Sequence, residues 1–266
     1  MGDIIEIVVD RVTCGYGRTP VVENFSATVK TGRILCLLGP NGIGKTTLFK
    51  SILRLIPLMG GHVQVDGRDV ARLTRKSFAK LVAYVPQIHT VPFPFLSKDV
   101  VVMGRTAHLG AVGAPSRGDY DIAFHWMDRL GIGDLADKPY PQLSGGERQM
   151  VLIARAMAQE AAFLMMDEPT SSLDFGNQAR VLGHIMTLSQ DVGIIVTTHF
   201  PDHALQCDSD VVLMQQDGHY LSGPARDVVT QDNLRQTYGV DVRVVDTTAA
   251  GVDIRTCVPI ITAAQR

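Results

Sequence analysis

Over the first forty positions, apolar residues either alternate with polar ones or run unbroken in short pieces, at residues 4–9, 25–29 and 33–38. Alternation marks a half-buried strand and a short unbroken run a fully buried one. All three pieces are therefore predicted as strands, with Thr31 and Gly32 turning the chain between the last two. After Gly44 the spacing becomes helical and holds to about Leu55. Gly60 and Gly61 read as punctuation ahead of two more strands, at residues 62–65 and 82–85. From Pro92 to about Glu160 no strand pattern appears. Helical periodicity occupies residues 119–130 and 145–158, with Gly and Pro between them, which predicts an inserted helical lobe. Short apolar strands return at residues 163–166, 194–197 and 211–214 with helical stretches between, the rhythm that builds a parallel sheet. The fold class is α/β, with no internal repeat and no low-complexity tract.

A chain of 266 residues can bury a substantial core, as one large domain or one domain carrying an inserted lobe. With 45% hydrophobic and 20% charged residues, composition excludes disorder, fibrous repeats and disulfide-stapled miniatures. A formal net charge of -2 supplies no global attraction to nucleic acid or to an acidic membrane, so any anion must be held locally. Cys14, Cys36, Cys207 and Cys257 are scattered without a CxxC pair, which argues against a zinc site and for reduced thiols in the cytoplasm. The opening residues do not read as a secretory signal. No apolar run approaches the roughly 18 to 20 residues that cross a bilayer, so a membrane role calls for another chain.

Against that background the segment Gly39, Pro40, Asn41, Gly42, Ile43, Gly44, Lys45, Thr46 stands out, a match to GxxxxGK[ST] between a predicted strand and a predicted helix. Glycines let the backbone curl so that successive N–H groups face a polyphosphate, and the helix N-terminus adds positive potential. Lys45 is expected to bridge phosphates and to face solvent without them, and Thr46 to ligate magnesium.

Residues 163–168 form an apolar strand ending in Asp167 and Glu168. Carboxyl ends of central strands are where α/β sheets bind ligands, so Asp167 suits magnesium and Glu168 suits orienting and deprotonating a water. Taken alone, the pair fits a strand followed by a polar turn equally well. Leu143, Ser144, Gly145, Gly146, Glu147, Arg148 and Gln149 open the following helix. Ser144 and Glu147 form a capping box, but two glycines in a first helical turn are unfavourable, which points to something, such as an anion, approaching the exposed backbone.

Together these residues resemble the ATP-binding cassette family, whose ordered motifs run here from Tyr16 to His199. The resemblance implies a RecA-like P-loop core with an antiparallel β subdomain and an inserted helical subdomain. It assigns residues 1–223 to the ATPase domain, with the helical lobe at about 92–160, and leaves 224–266 as a C-terminal elaboration without interpretable motifs. It makes Tyr16 the aromatic that stacks on adenine and places Thr47 with Gly39 to Thr46 in the nucleotide site. Gln87 becomes the magnesium-sensing glutamine that also contacts a membrane subunit. Residues 171–174, ending in Asp174, become the loop crossing a dimer interface, and His199 the switch histidine on the γ-phosphate. Alone, Tyr16 reads as ordinary packing and His199 as a strand-end residue; motif order carries both. Ile43 is bulky for its place and Ser172 replaces a commoner alanine.

ATP and Mg²⁺ are the implied ligands, with Glu168, His199 and Lys45 as the catalytic set and Thr46, Gln87 and Asp167 at the metal. The implied assembly is a homodimer with each ATP between the cradle of one copy and Ser144, Gly145 and Gly146 of the other. It sits on two permease subunits at the cytoplasmic face of the inner membrane, served by a substrate-binding protein. Residues 97–108 and 166–178 bring the chain nearest to ATPases of importers for ferric siderophores, haem, cobalamin and molybdate. A soluble ATPase of this family acting on nucleic acid or ribosomes is disfavoured by the single cassette and the absence of heptads or basic bias. An exporter ATPase is disfavoured because many exporters fuse membrane helices to this domain.

Overall fold

The computed structural model describes residues 4–87, 94–110, 113–249 and 251–261. Strands β1 (Glu6–Tyr16), β2 (Thr19–Lys30) and β3 (Ile34–Leu38) open the chain, followed by helix α1 (Lys45–Ile52), β4 (Leu58–Val65) and the two-residue β5 (Arg68–Asp69). Next come α2 (Arg75–Ala79), β6 (Val82–Val85), α3 (Ser97–Val102), α4 (Arg117–Arg129) and α5 (Gly145–Met157). The chain then alternates through β7 (Phe163–Asp167), α6 (Phe175–Leu188), β8 (Gly193–Thr198), α7 (Pro201–Gln206), β9 (Asp210–Met214) and β10 (Tyr220–Pro224). It closes with α8 (Ala225–Val228), α9 (Gln231–Tyr238), β11 (Val242–Ala249) and β12 (Val252–Pro259).

Among the described residues three sheets form. A four-stranded antiparallel sheet runs β2-β1-β4-β5, a six-stranded sheet runs β10-β9-β3-β8-β7-β6, and β11 pairs with β12 as a hairpin. In the six-stranded sheet β9, β3, β8, β7 and β6 are parallel and β10 is antiparallel. Strand periodicity divides the core between the two faces of this sheet. Ile34, Cys36, Leu38, Leu164, Met166, Ile194 and Val196 face the helical segment. Leu35, Leu37, Phe163, Met165 and Ile195 face α1 and the antiparallel sheet. Every residue of β3 and β7 is buried, so β3 appears in the sequence as an unbroken apolar run and β7 as one that stops only at Asp167.

Gly60 and Gly61 do not punctuate; they lie inside β4, where β1 bulges between Asp10 and Thr13. Gly61 has φ +74, and a Cβ there would overlap the Arg11 carbonyl, so the glycine permits a close strand approach. The helix predicted to Leu55 stops at Ile52, with Arg54 in the left-handed region at φ 60.

Between β6 and β7 the described residues form helices joined by turns and loops, with no strand and one isolated bridge, Leu96 to Pro139, while the expected start of the lobe at residues 92–93 lies outside the described residues. A Cβ on Gly104 would overlap the Arg155 carbonyl, so the 3₁₀ turn Met103–Ala107 rests directly on α5. Buried Arg105 ties this turn to both neighbours. It donates to Asp119 Oδ1 (3.1 Å) near the start of α4, and to Ala158 O (2.8 Å) and Glu160 Oε2 (2.6 Å) beyond the end of α5. Past β10, Val228, Leu234, Val242, Val244 and Cys257 pack onto the same core as the helical segment. Residues 262–266 of the expected elaboration lie outside the described residues.

Candidate active site

The loop from Gly39 to Gly44 leaves β3 and enters α1 through two left-handed glycines, Gly42 (φ 84) and Gly44 (φ 109). At Gly44 a side chain is excluded as well as strained, because a Cβ would lie 2.7 Å from Val22 Cγ2. Ile43 turns its bulk onto the core beneath, which accounts for a large residue in a tight loop.

Lys45 departs from expectation. Rather than facing solvent it is only 4% exposed and folded into its own loop, where Nζ donates to Gly39 O (2.7 Å) and Pro40 O (3.0 Å). Nζ also stands 3.5 Å from Glu168 Oε1. Burial lowers the Lys45 pKa, and the carboxylates of Glu168 and Asp167 work against that shift. The loop thus satisfies its ammonium with its own carbonyls, as a cation must be when taken out of water.

Asp167, fully buried at the end of β7, accepts from Thr197 Oγ1 (2.6 Å) on β8 and from Thr46 Oγ1 (3.3 Å) on α1. Glu168 follows with φ 45, an unusual conformation for a side-chain-bearing residue, and its N–H donates to Thr197 Oγ1 (2.8 Å). Its carboxylate gathers the site: Gln87 Nε2 donates to Oε2 (3.1 Å) and His199 Nδ1 lies 3.4 Å from the same oxygen. Gln87 Nε2 also reaches Ser171 Oγ (3.4 Å).

An open cleft of ≈ 460 Å³ is lined by Tyr16, Val21, Asn41, Gly42, Gly44, Lys45, Thr46, Thr47, Gln87 and Glu168. Tyr16 is 57% exposed at its rim, and Thr47 Oγ1 donates to its hydroxyl (3.4 Å). Gln87 and Glu168 also wall a neighbouring cleft of ≈ 320 Å³, shared with Gly145, Arg148, Gln149, Ser171 and Ser172.

Ser144, Gly145, Gly146 and Asp174 do not line the cradle of their own chain. The capping box is present, with Glu147 N donating to Ser144 Oγ (3.3 Å) and Ser144 N to Glu147 Oε2 (2.7 Å). Gly146 has an intramolecular reason that sequence spacing did not reveal: its Cβ would lie 2.6 Å from Asn177 Cγ. Asn177 is itself held by Asp174 at the cap of α6 (2.9 and 2.7 Å). Exposed Gly145 keeps its open backbone. Thr197 and Val21 join the site unannounced; both are ordinary strand residues whose neighbours come from distant parts of the chain.

A curled glycine loop, a lysine held by replaceable carbonyls and a threonine 3.3 Å from a buried aspartate fit a polyphosphate with its divalent cation. These features define a P-loop nucleotide hydrolase. Comparison with known proteins narrows the class. The ABC transporter family matches residues 22–171. A Haemophilus influenzae protein described as an uncharacterized ABC transporter ATP-binding protein is 42% identical over 236 residues, 88% of this chain and 90% of its own. In Bacillus subtilis, the manganese transport ATP-binding protein MntB is 32% identical (88% and 92% covered), and the iron(3+)-hydroxamate import ATP-binding protein FhuC is 31% identical (89% and 88% covered). A solved metal-chelate-type ABC transporter in an inward-facing conformation superposes with TM-score 0.86 at 28% identity, covering 97% of this chain and 98% of its own. The chain belongs to the ABC transporter family and is an ATP-binding ATPase. Among the described residues no helix is long and apolar enough to cross a membrane.

Proposed function

We propose that this ATPase powers import of a metal chelate or oxyanion, of the siderophore, haem, cobalamin or molybdate type. It would act through separate permease subunits at the inner face of the cell membrane, with a substrate-binding protein supplying cargo. Supporting this is the likeness to a metal-chelate-type transporter, whose 97% coverage leaves too few residues unmatched to omit the segment after β10. The iron-hydroxamate relative points the same way.

The observation that carries the mechanism is the convergence of Lys45, Gln87 and His199 on Glu168 at the mouth of the cradle. Lys45 exchanges its two carbonyl partners for phosphate oxygens, which are stronger, charge-assisted acceptors. Tyr16 offers its exposed ring to adenine, with Thr47 fixing its hydroxyl. Thr46, Gln87 and Asp167 would hold Mg²⁺, which would supply neutralisation of phosphate charge. Glu168 orients a water and takes its proton as the new P–O bond forms and the bridging bond to ADP breaks. His199 steadies the γ-phosphate from the other side of Glu168. Ser144, Gly145 and Gly146 serve the cradle of a second copy, with Asp174 at the shared interface, so closure of a homodimer completes each site.

Glu168→Gln tests this. It keeps size and hydrogen bonding but removes the base, so turnover should fall by about 10² to 10⁴ while ATP still binds. With less repulsion toward the γ-phosphate, ATP and Mg²⁺ should trap a dimer, seen as a doubling of mass by light scattering. Native turnover in Glu168→Gln would assign the base elsewhere. For cargo, the ATPase reconstituted with its permease and binding protein should be stimulated by ferric siderophore, haem, cobalamin or molybdate. Stimulation by free manganese alone would overturn the chelate reading.

A further inference from the structure

Behind the Glu168 cluster lies a second polar group that the mechanism above does not use. His203, in the first turn of α7, is 7% exposed. Its Nδ1 lies 3.2 Å from Thr198 Oγ1 and 3.5 Å from Thr170 Oγ1. Thr198 immediately precedes His199, and Thr170 follows Glu168 by two residues. The rings continue the connection: Phe200 is 4.0 Å from His199 and 4.9 Å from His203 between centroids.

Phe200 N donates to Thr198 Oγ1 (3.1 Å), which leaves that hydroxyl its proton and a second lone pair for Nδ1, so the ring nitrogen accepts or donates according to its tautomer. Burial, the largest influence, pushes the His203 pKa down to about 4, which agrees with a neutral ring at physiological pH.

Backbone pairing explains why such a link matters. Strands β7 and β8 are in register from Phe163↔Gly193 to Asp167↔Thr197, and the ladder ends there. Glu168 and His199 both lie beyond its end; β8 stays paired with β3 through Leu38↔Thr198, so between the two exits it is side-chain links that tie β8 to β7. Thr197 makes one tie, to Glu168 N, and His203 makes the next, between the two exit segments. Helix α7 is anchored from outside as well, since Asp202 Oδ1 accepts from Cys257 N (2.7 Å) and Thr256 Oγ1 (3.0 Å) of β12.

We propose that His203 is a positioning residue: by bridging Thr198 and Thr170 it fixes the exit of β8 against the exit of β7 and so sets the placement of His199 against Glu168 for ATP hydrolysis. The proposal rests on the hydrolytic reading of His199 and Glu168. A merely space-filling histidine would be replaced equally well by any side chain of similar volume, whereas a positioning one needs a polar atom at the Nδ1 position.

Steady-state ATPase kinetics and thermal unfolding of the full chain, for His203→Leu, His203→Asn and His199→Ala, test it. In His203→Leu, kcat should fall about tenfold with KM for ATP within about twofold, as expected when a reacting group is displaced but binding is not. His203→Asn, whose amide falls near the Nδ1 position, should regain most of that loss. Native kcat in folded His203→Leu, or equal impairment in Leu and Asn variants, would overturn the proposal. Should His203→Leu not fold, His203→Gln replaces it: the amide is one methylene further out, and turnover equal to that of Asn overturns the proposal. Native turnover in His199→Ala would overturn both the switch role and this inference. Lost turnover there with native turnover in His203→Leu would overturn this inference alone.

Discussion

Lys45 is the single residue on which nucleotide binding should turn. Its Nζ is held by Gly39 O, Pro40 O and the nearby Glu168, so Lys45→Ala removes both the phosphate contact and the group that satisfies the loop. ATP affinity should be lost by isothermal titration, while unfolding should show a loss of about 1 kcal/mol from the lost Lys45 hydrogen bonds, since Pro40 O keeps Ile43 N as a donor. Native affinity would remove Lys45 from the cradle. The cradle and the Asp167-Glu168 pair were legible because each is contiguous and its chemistry follows from residue order. The folded-back lysine was not, because its partners include Glu168, just past β7 and distant in sequence. Thr197 escaped for the same reason: its hydroxyl becomes meaningful only once β8 lies beside β7. Gly146 gave a true signal of close approach, but the neighbour identified is Asn177 of the same chain.

Among the elements, those buried on both faces were plain in the sequence, as for β3 and β7, where every position is buried. Short helices such as α2 and α3 carry too few residues for periodicity to emerge, and β11 and β12, eight residues each, have no fully buried position to mark them; their stability comes from non-local packing. Gly61, opposite the β1 bulge, was misread because a glycine pair signals a turn or a close strand approach alike, and only pairing with β1 decides. Gly104→Ala pushes a methyl into the Arg155 carbonyl, a backbone atom that cannot step aside, so the 3₁₀ turn and α5 must separate. Urea unfolding should show a loss of about 1–3 kcal/mol, the usual range for overpacking a filled core. Unchanged stability would mean that α5 shifts freely, contrary to the Arg105 clamp at the same C-terminal end of the helix.

For the whole molecule, the separation between the cradle and the Ser144 turn is the decisive geometry. Within one chain Ser144 caps α5 and lies off the walls of the cradle, so a shared-site dimer makes a prediction that a self-contained site does not. Ser144→Arg should place bulk and charge where the partner's γ-phosphate binds, sparing ATP binding by single copies but preventing closure. A lost cap alone would cost about 0.5–2 kcal/mol and leave turnover per folded molecule unchanged. Mixing Ser144→Arg with Lys45→Ala then isolates the mechanism. In the mixed dimer one site combines both defects, while the other joins an intact Lys45 cradle to an intact Ser144 turn. A random one-to-one mixture of a symmetric dimer should regain about a quarter of the native site number. Neither parent should hydrolyse ATP alone, and activity should appear on mixing in proportion to heterodimer, measured by differently sized tags. Absence of recovery where heterodimers are demonstrated would place the whole site within one chain and leave the exposed Gly145 backbone without a partner.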